Sequence, residues 1–192
     1  MRSWPGLSPP RKNSLRLPGF DYSAPNVRYF LTISADPGTA PFSQPWIAEL
    51  IVINLLKLDQ LKRLRINCYC LMPDHMHLLA LSLPGMKHLS QAIKDFERFI
   101  TGRVRQVQPQ LTLWQGGYYD HILREDEADD LIIGYIMRNP VEAALTREVG
   151  EWPYAKIVIQ AEDAKRLTPA ERALARPASD PIGPGLYIIM GL

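Results

Sequence analysis

Two short clusters carry residue types able to do chemistry. His75-Met76-His77 opens an apolar run that reaches Leu83 and reads as a strand. On a strand, side chains at i and i+2 point to the same face, so both imidazoles can approach one cation while Met76 and Leu78 turn toward the core. The same spacing also suits an exposed strand face whose two histidines bind nothing. Tyr135-Ile-Met-Arg-Asn139 lies near the end of a predicted helix. Residues four apart share a helical face, so a phenol and an amide can look into one site, and Pro140 limits continuation past Asn139. An amide oxygen suits a hard divalent cation that imidazole alone would not select. A tyrosine in an amphipathic helix equally fills core with its hydroxyl at the edge.

The remaining chemistry-bearing residues compete with these. Cys68 and Cys70 are the only cysteines. An i, i+2 pair on a strand has poor disulfide geometry, which excludes a disulfide scaffold. If Pro73-Asp74 makes a two-residue loop, Cys70 lies across from His77, and Cys68, Cys70, His75 and His77 then project from one face with ligand types suited to zinc. Two tight i, i+2 pairs, however, form a plane more readily than a tetrahedron. Asp120 and His121 are adjacent on a predicted strand and point to opposite faces, so a structural role is expected for both. His88 reads as a helix-start residue with no partner in view. Tyr118 and Tyr119 offer further phenols, but they occupy a predicted strand and lack the helical Asn.

The elements that must position these residues follow from periodicity and turn signals. Val27 to Ala35 is a β-branched and aromatic strand ending at Asp36-Pro37-Gly38. Pro45 opens a helix over Trp46 to about Leu64. Ile66–Leu71 and His75–Leu83 flank Met72-Pro73-Asp74 as a hairpin. Ser90 can cap a helix reaching about Gln106, with Ile93, Phe96, Phe99 and Ile100 as its apolar stripe and Lys94, Arg98, Arg103 and Arg105 on its other face. Tyr118 to Arg124 is a fourth strand after Gly116-Gly117, and Asp126 to about Asn139 a third helix with acidic residues in its first turns. The order β, α, β, β, α, β, α predicts an α+β fold: a ferredoxin-like antiparallel sheet with helices packed on one face and an additional C-terminal helix. Three segments are expected: a basic Pro/Arg/Gly arm over residues 1–26, one folded domain over 27–158, and a Pro-rich, charged tail over 159–192 with partial disorder.

The net charge of +2 conceals an asymmetry. Residues 1–105 hold 14 Lys/Arg against 7 Asp/Glu, and residues 106–192 hold 8 against 13. A basic half attracts polyanions such as nucleic acid, and an acidic half can hold cations or mask that surface. The longest apolar segment, Ile47 to Leu58, is interrupted by Glu49, Asn54 and Lys57, so no membrane span is expected. No signal-like apolar region follows the start, and a cytoplasmic location is expected.

Taken together, three motifs form a known pattern. Arg16-Leu-Pro-Gly-Phe-Asp-Tyr22, then Tyr69-Cys-Leu-Met-Pro-Asp-His-Met-His-Leu-Leu79, then Tyr135-Ile-Met-Arg-Asn-Pro-Val141 occur in this order. The chain thereby resembles the single-tyrosine transposases of the His-hydrophobe-His class, and among them the REP-associated tyrosine transposases, over roughly residues 16–155. The family turn usually reads Met-Pro-Asn-His; Asp74 stands in place of the Asn here.

The resemblance implies a metal-dependent enzyme that cuts and rejoins single-stranded DNA, often folded as a hairpin, through a 5′-phosphotyrosine link. It implies His75, His77 and Asn139 as ligands of Mg²⁺ or Mn²⁺, and Tyr135 as the nucleophile. The surface offers matching contacts: Lys94, Arg98, Arg103 and Arg105 for phosphates, Arg16 with Arg11 and Lys12 on the arm, and Trp114 as a ring on which a base could stack. Trp114 also reads as core. A non-cleaving DNA-hairpin-binding protein is the alternative, with a structural zinc protein behind it. Members of the class work as monomers or as homodimers, and the sequence leaves that open.

Overall fold

The computed structural model describes residues 18–61, 64–86, 88–160, 175–177 and 186–189. Its elements run β1 (Arg28–Ser34), a 3-10 turn (Pro41–Ser43), α1 (Pro45–Gln60), β2 (Leu64–Leu71), β3 (His75–Ser82), α2 (Leu89–Arg105), β4 (Tyr119–Ile122), α3 (Asp129–Glu142), β5 (Ala155–Gln160), β6 (Ala175–Pro177) and β7 (Leu186–Ile189). The sheet order is β4-β1-β3-β2-β5-β7-β6. The first five strands pair antiparallel, and the β4-β1-β3-β2 arrangement is the ferredoxin-like one expected from the element order. β7 joins β5 in parallel, and β6 pairs with β7 in parallel.

The hairpin that carries the histidines closes through Met72 N–H donating to His75 O at 2.7 Å, leaving Pro73-Asp74 as its two-residue tip. Proline presets φ there and aspartate tolerates the turn. Leu71 pairs with Met76 and Cys70 with His77, so the strand register is fixed at the tip. A bulge between Ile66 and Cys68 then shifts the alternation of β2. Ile66 and Tyr69, three residues apart, both face α1, while Cys68 and Cys70 turn to the opposite face.

The two faces bury different helices. Tyr29, Leu31, Ile33, Ile66, Met76 and Leu78 meet Ile47, Ile51 and Leu55 of α1 and Ile93, Phe96 and Ile100 of α2. Each such fully buried aliphatic contributes about 1.5–3 kcal/mol. Phe30, Cys68, Cys70 and Leu79 meet Ile132 and Ile136 of α3 on the other face. α1 crosses from β1 to β2 and α2 from β3 to β4, each passing one intervening strand, and both pack on the same face, whereas α3 follows the edge strand β4 and covers the other face.

Several details differ from the sequence-based expectation. α3 continues through Pro140 to Glu142, because a proline in the last turn removes one hydrogen bond without clashing with enough of the helix to end it; Leu145 N–H still reaches Pro140 O at 2.8 Å. α2 is capped not by Ser90 but by His88, whose side chain accepts from Ser90 N–H. Phe99 is 46% exposed rather than part of the buried stripe, and the Arg103 guanidinium lies 5.4 Å from its ring centroid. β5 crosses the expected boundary at residue 158, and the described parts of the tail add β7 and β6 beyond it. The rest of the tail and the arm through residue 17, with Arg11, Lys12 and Arg16, lie outside the described residues. The described end of the arm packs down. Tyr22 is buried and its hydroxyl donates to Asp120 at 2.8 Å, so the Phe20-Asp21-Tyr22 end of the lead-in motif anchors chain to sheet.

Candidate active site

Strand pairing on the α3 face sets the floor of the site. Thr32 of β1 pairs with His77 of β3, Ser34 with His75, and Cys70 of β2 lies on the other side of His77. His77 is buried and stacks on Phe30, ring centroids 5.4 Å apart. From above, α3 lowers Tyr135 onto this pair. Its ring lies 5.5 Å from that of His77 and 5.8 Å from that of Phe30, edge-on to the latter. Tyr135 thus lies against His77, whose neighbour on the same strand face is His75.

The imidazoles face each other. His75 Nε2 and His77 Nε2 are 3.2 Å apart, His75 Nδ1 is 2.7 Å from Asp74 Oδ1, and His77 Nδ1 is 2.9 Å from Thr32 Oγ1. Asn139 completes the group. Its Nδ2 donates to Tyr135 O at 2.8 Å, and its side chain is close enough to His77 and Tyr135 to act on the protonation of both.

Burial sets the protonation of these groups. Loss of water, reinforced by the neighbouring His75, pushes His77 down to about 3, with Asn139 opposing, so the imidazole is neutral at pH 7. Burial raises Tyr135 above the ordinary phenol value, Asn139 opposes, and Glu142 adds to the rise. The phenol is therefore protonated and a weak nucleophile unless positive charge is supplied beside it.

The donor set fits a divalent cation. Bonds of about 2.1 Å at right angles place two adjacent ligands about 3.0 Å apart, close to the observed separation of the imidazole nitrogens. Each Nδ1 has an outer partner to orient its ring, as metal-ligating histidines require. No group of three or more His, Cys, Asp or Glu able to hold a metal exists among the described residues, so a third protein ligand there would have to be an amide such as Asn139. The alternative zinc arrangement of Cys68, Cys70, His75 and His77 does not form. Both thiols are buried, burial pushes them far up in pKa, and Cys70 Sγ contacts Met72 Sδ at 3.6 Å. They belong to the apolar packing under α3.

Other expected residues fall elsewhere. Trp114 packs against Phe42 and Phe96, centroids 5.1 and 6.2 Å away, and its indole N–H donates to Thr101, so packing uses the ring expected to stack on a base. Lys94, Arg98, Arg103 and Arg105 are all exposed on α2, on the side of the sheet away from Tyr135. Lys94, Arg98 and Arg105 follow one helical line, while Arg103 sits beside Phe99 on the flank. Tyr118 is buried in the core of the α1 and α2 face, and Tyr119, whose pKa burial raises, flanks Thr32 on β4. Asp120 and His121 do turn to opposite faces, Asp120 to Tyr22 and His121 to Glu127 at 2.9 Å. Thr32, Phe30 and Glu127 were not singled out from sequence. Their roles depend on register between strands distant in the chain, which no local spacing reveals.

No described helix is long and apolar enough to cross a membrane. Compared with known families, residues 47–139 match the family described as IS200-like transposase. The chain is 29% identical over 98 residues to the REP-associated tyrosine transposase of Haemophilus influenzae, covering 45% of this chain and 54% of that protein. It is 25% identical over 108 residues to the REP-associated tyrosine transposase of Escherichia coli, covering 53% and 59% respectively. The chain therefore spans little more than half the length of these two curated relatives. The fold is also that of a solved REP-associated tyrosine transposase bound to a REP hairpin, with TM-score 0.55 and 19% identity over 78% of this chain and 82% of that one. The stretch that resembles the IS200-like transposase family ends on Asn139 and contains His75, His77 and Tyr135.

Proposed function

We propose that the protein cleaves and rejoins single-stranded DNA through a 5′-phosphotyrosine intermediate, acting on hairpin-forming sequences of the REP kind. One observation carries this reading: Tyr135 projects from α3 onto the neutral, buried His77 of its own chain, with Asn139 against both. The Tyr135 oxygen attacks phosphorus and the bond from phosphorus to the 3′ oxygen breaks, leaving a 5′-phosphotyrosine and a free 3′-OH. The phenol loses one proton and the departing oxygen gains one, so the step is balanced without a co-reactant. The linkage keeps the energy of the phosphodiester, and attack by a 3′-OH reverses it.

His75, His77 and Asn139 would hold Mg²⁺ or Mn²⁺, which supplies charge neutralisation on the nonbridging phosphate oxygens. Asn139 links ligand set and nucleophile, because its amide reaches His77 and Tyr135 alike. Phe30 sets the tilt of both rings by stacking on His77 and meeting Tyr135 edge-on. Lys94, Arg98, Arg103 and Arg105 would contact backbone phosphates remote from the cut, so bound DNA would pass around a sheet edge.

The test incubates protein, Mn²⁺ and end-labelled hairpin DNA carrying a single-stranded flank, and resolves products on denaturing gels. An SDS-resistant adduct is expected, abolished by Tyr135→Phe with DNA binding unchanged. An adduct in Tyr135→Phe removes this residue as nucleophile. Binding without any adduct in the parent protein leaves the non-cleaving hairpin binder as the correct reading.

A further inference from the structure

We propose, resting on the cleavage reading above, that Tyr119 and the Gly116-Gly117 turn form a subsite for an unpaired nucleotide beside the scissile phosphate. The base lies on the Tyr119 ring, and the DNA backbone crosses the glycines at the β4 edge of the sheet.

Strand register puts Tyr119 in line with the site. Tyr119 pairs with Thr32 and Thr32 with His77, so the three occupy one row across β4, β1 and β3. At about 4.8 Å per strand, the backbones of Tyr119 and His77 stand about 10 Å apart. The Tyr119 side chain turns to the α3 face, where it packs half-buried against the cluster of Phe30, Ile132 and Ile136. Phe30, Tyr135 and Trp152 share that face with it. Phe30 and Tyr135 meet each other and His77, and Trp152 meets Tyr154, but no ring of another described residue lies against Tyr119. β4 ends the sheet on this side, so no further strand covers the outer side of the ring. A ring steadied by packing and open on its outer side can take a base.

The edge beside that ring is cleared of side chains. A regular ladder continued from the Thr32–Tyr119 pair would set Ala35 opposite Gly116, yet Ala35 bridges Trp114. Two extra residues are accommodated there. Gly116 and Gly117, both exposed with φ of +82° and +79°, take them up, and a Cβ added at either would meet nothing within 4 Å. The backbone conformation calls for glycine, and the open space leaves room for a passing chain. Gln115 N–H donates to Ser34 O, and Ser34 pairs with His75, so the opening adjoins the strand segment that leads to both imidazoles. It also adjoins α2. Trp114, just before the turn, packs on Phe96 and donates to Thr101, close to the helix end that carries Arg103 and Arg105. A strand held there by its phosphates reaches the other face of the sheet across the glycines. Stacking on a side chain needs a base with a free π-face, which a single-stranded flank has and an intact stem does not.

Binding is measured in EDTA, so that nothing is cut, with a hairpin bearing a single-stranded flank, with the same hairpin lacking it, and with flanks carrying 2-aminopurine at one position at a time. The full chain should quench one flank position, and that position should adjoin the phosphate cut when Mn²⁺ is supplied. Tyr119→Leu keeps apolar cover over Phe30 and Ile132 but has no π-face. In it the quench should vanish and the flanked hairpin bind about 10-fold more weakly, with the flankless hairpin bound as before; Tyr119→Phe should restore both. An unchanged quench and flanked affinity in Tyr119→Leu overturn the subsite even where the adduct forms, as does a quenched position remote from the cut. Equal losses for the two hairpins also overturn it, since they mark a purely structural ring. A quench lost in Tyr119→Leu, in a protein whose parent forms no adduct with Mn²⁺, supports the nucleotide subsite and overturns the cleavage reading alone.

Discussion

α3 carries Tyr135, the proposed nucleophile, yet has no side-chain cap at its start, where Ala128 occupies the cap position. Its entry is held instead by Arg28 of β1. The guanidinium donates to Asp129 Oδ1 at 2.7 Å, to Glu127 O at 3.1 Å and to Arg124 O. Glu127 in turn accepts from Arg124 N–H at 2.7 Å and meets His121 at 2.9 Å. Arg28→Met keeps the aliphatic stem and removes all three donors. The ion pair is part-exposed, its side chains 28% and 37% accessible, which limits it to about 0.5–1 kcal/mol. The two carbonyls can recruit water in the variant, so each bond costs about 0.5 kcal/mol net. The total is about 2 kcal/mol. Ile132 and Ile136, buried against Phe30 and Leu79, contribute about 1.5–3 kcal/mol each and keep the helix docked. The loss should therefore be local: amide hydrogen exchange over residues 129–142 accelerates about 30-fold in Arg28→Met, while the strands of the central sheet are unchanged. The rate of adduct formation should change less than about twofold, because the docked state still dominates. Unchanged exchange in α3 refutes the assignment of Arg28 as its anchor, and a uniform increase across the sheet refutes the local accounting.

Glu97 gives a pH dependence of defined sign. Burial raises its carboxyl from 4.5 to about 7, with Lys94 opposing, and its Oε1 has no hydrogen-bond partner among the described residues. The folded protein holds this proton more tightly, so its contribution is complete below pH 4.5 and is lost as pH rises toward 7. His77, pushed down from 6.5 to about 3, acts in the opposite sense, contributing above pH 6.5 and losing stability as pH falls. In EDTA, Glu97→Gln should therefore leave a urea midpoint that climbs more steeply with pH than that of the parent; parallel curves between pH 4.5 and 7 would contradict the burial argument. Gly134 lies mid-helix, and a Cβ there would come within 3.1 Å of Arg138 Nη1, the far end of a flexible side chain. Gly134→Ala should gain up to about 1 kcal/mol in helix propensity and raise Tm by about 2–4 °C, since the guanidinium can move aside. No rise in a thermal scan would show that Arg138 is held in that seat.

What the sequence disclosed was local. Turn chemistry at Pro73-Asp74, the i, i+2 histidines and the i, i+4 pair Tyr135 and Asn139 act within a few residues, and each lies where spacing placed it. What it withheld depends on distant chain. The bulge after Ile66 reverses the facing of β2 and sends both cysteines into packing under α3, which period-two alternation alone cannot reveal. β5 went unnoticed although Ala155-Lys-Ile-Val-Ile-Gln160 is β-branched, because it follows a Trp-Pro turn beyond the last helix rather than another strand. Phe99 kept the right spacing for the stripe but sits at its margin, where Arg103 covers it instead of the core.

The fold also explains why imidazole and amide, rather than carboxylates, line the candidate metal position. The acidic half of the chain includes α3, with Asp129 and Asp130 in its first turn and Glu142 in its last. Glu142 already disfavours a phenolate at Tyr135. A DNA phosphate brought to that hydroxyl adds negative charge to the same place, while the exposed cations of α2 stand across the sheet, where screening over about 8–10 Å in salt weakens any help they give. The deficit has to be met at the site. Neutral ligands let a divalent ion keep its full charge facing the phosphate, whereas carboxylate ligands would cancel much of it. His75, His77 and Asn139, as the proposed ligands, would therefore suit in residue type and position the electrostatic demand that the proposed attack by Tyr135 would create.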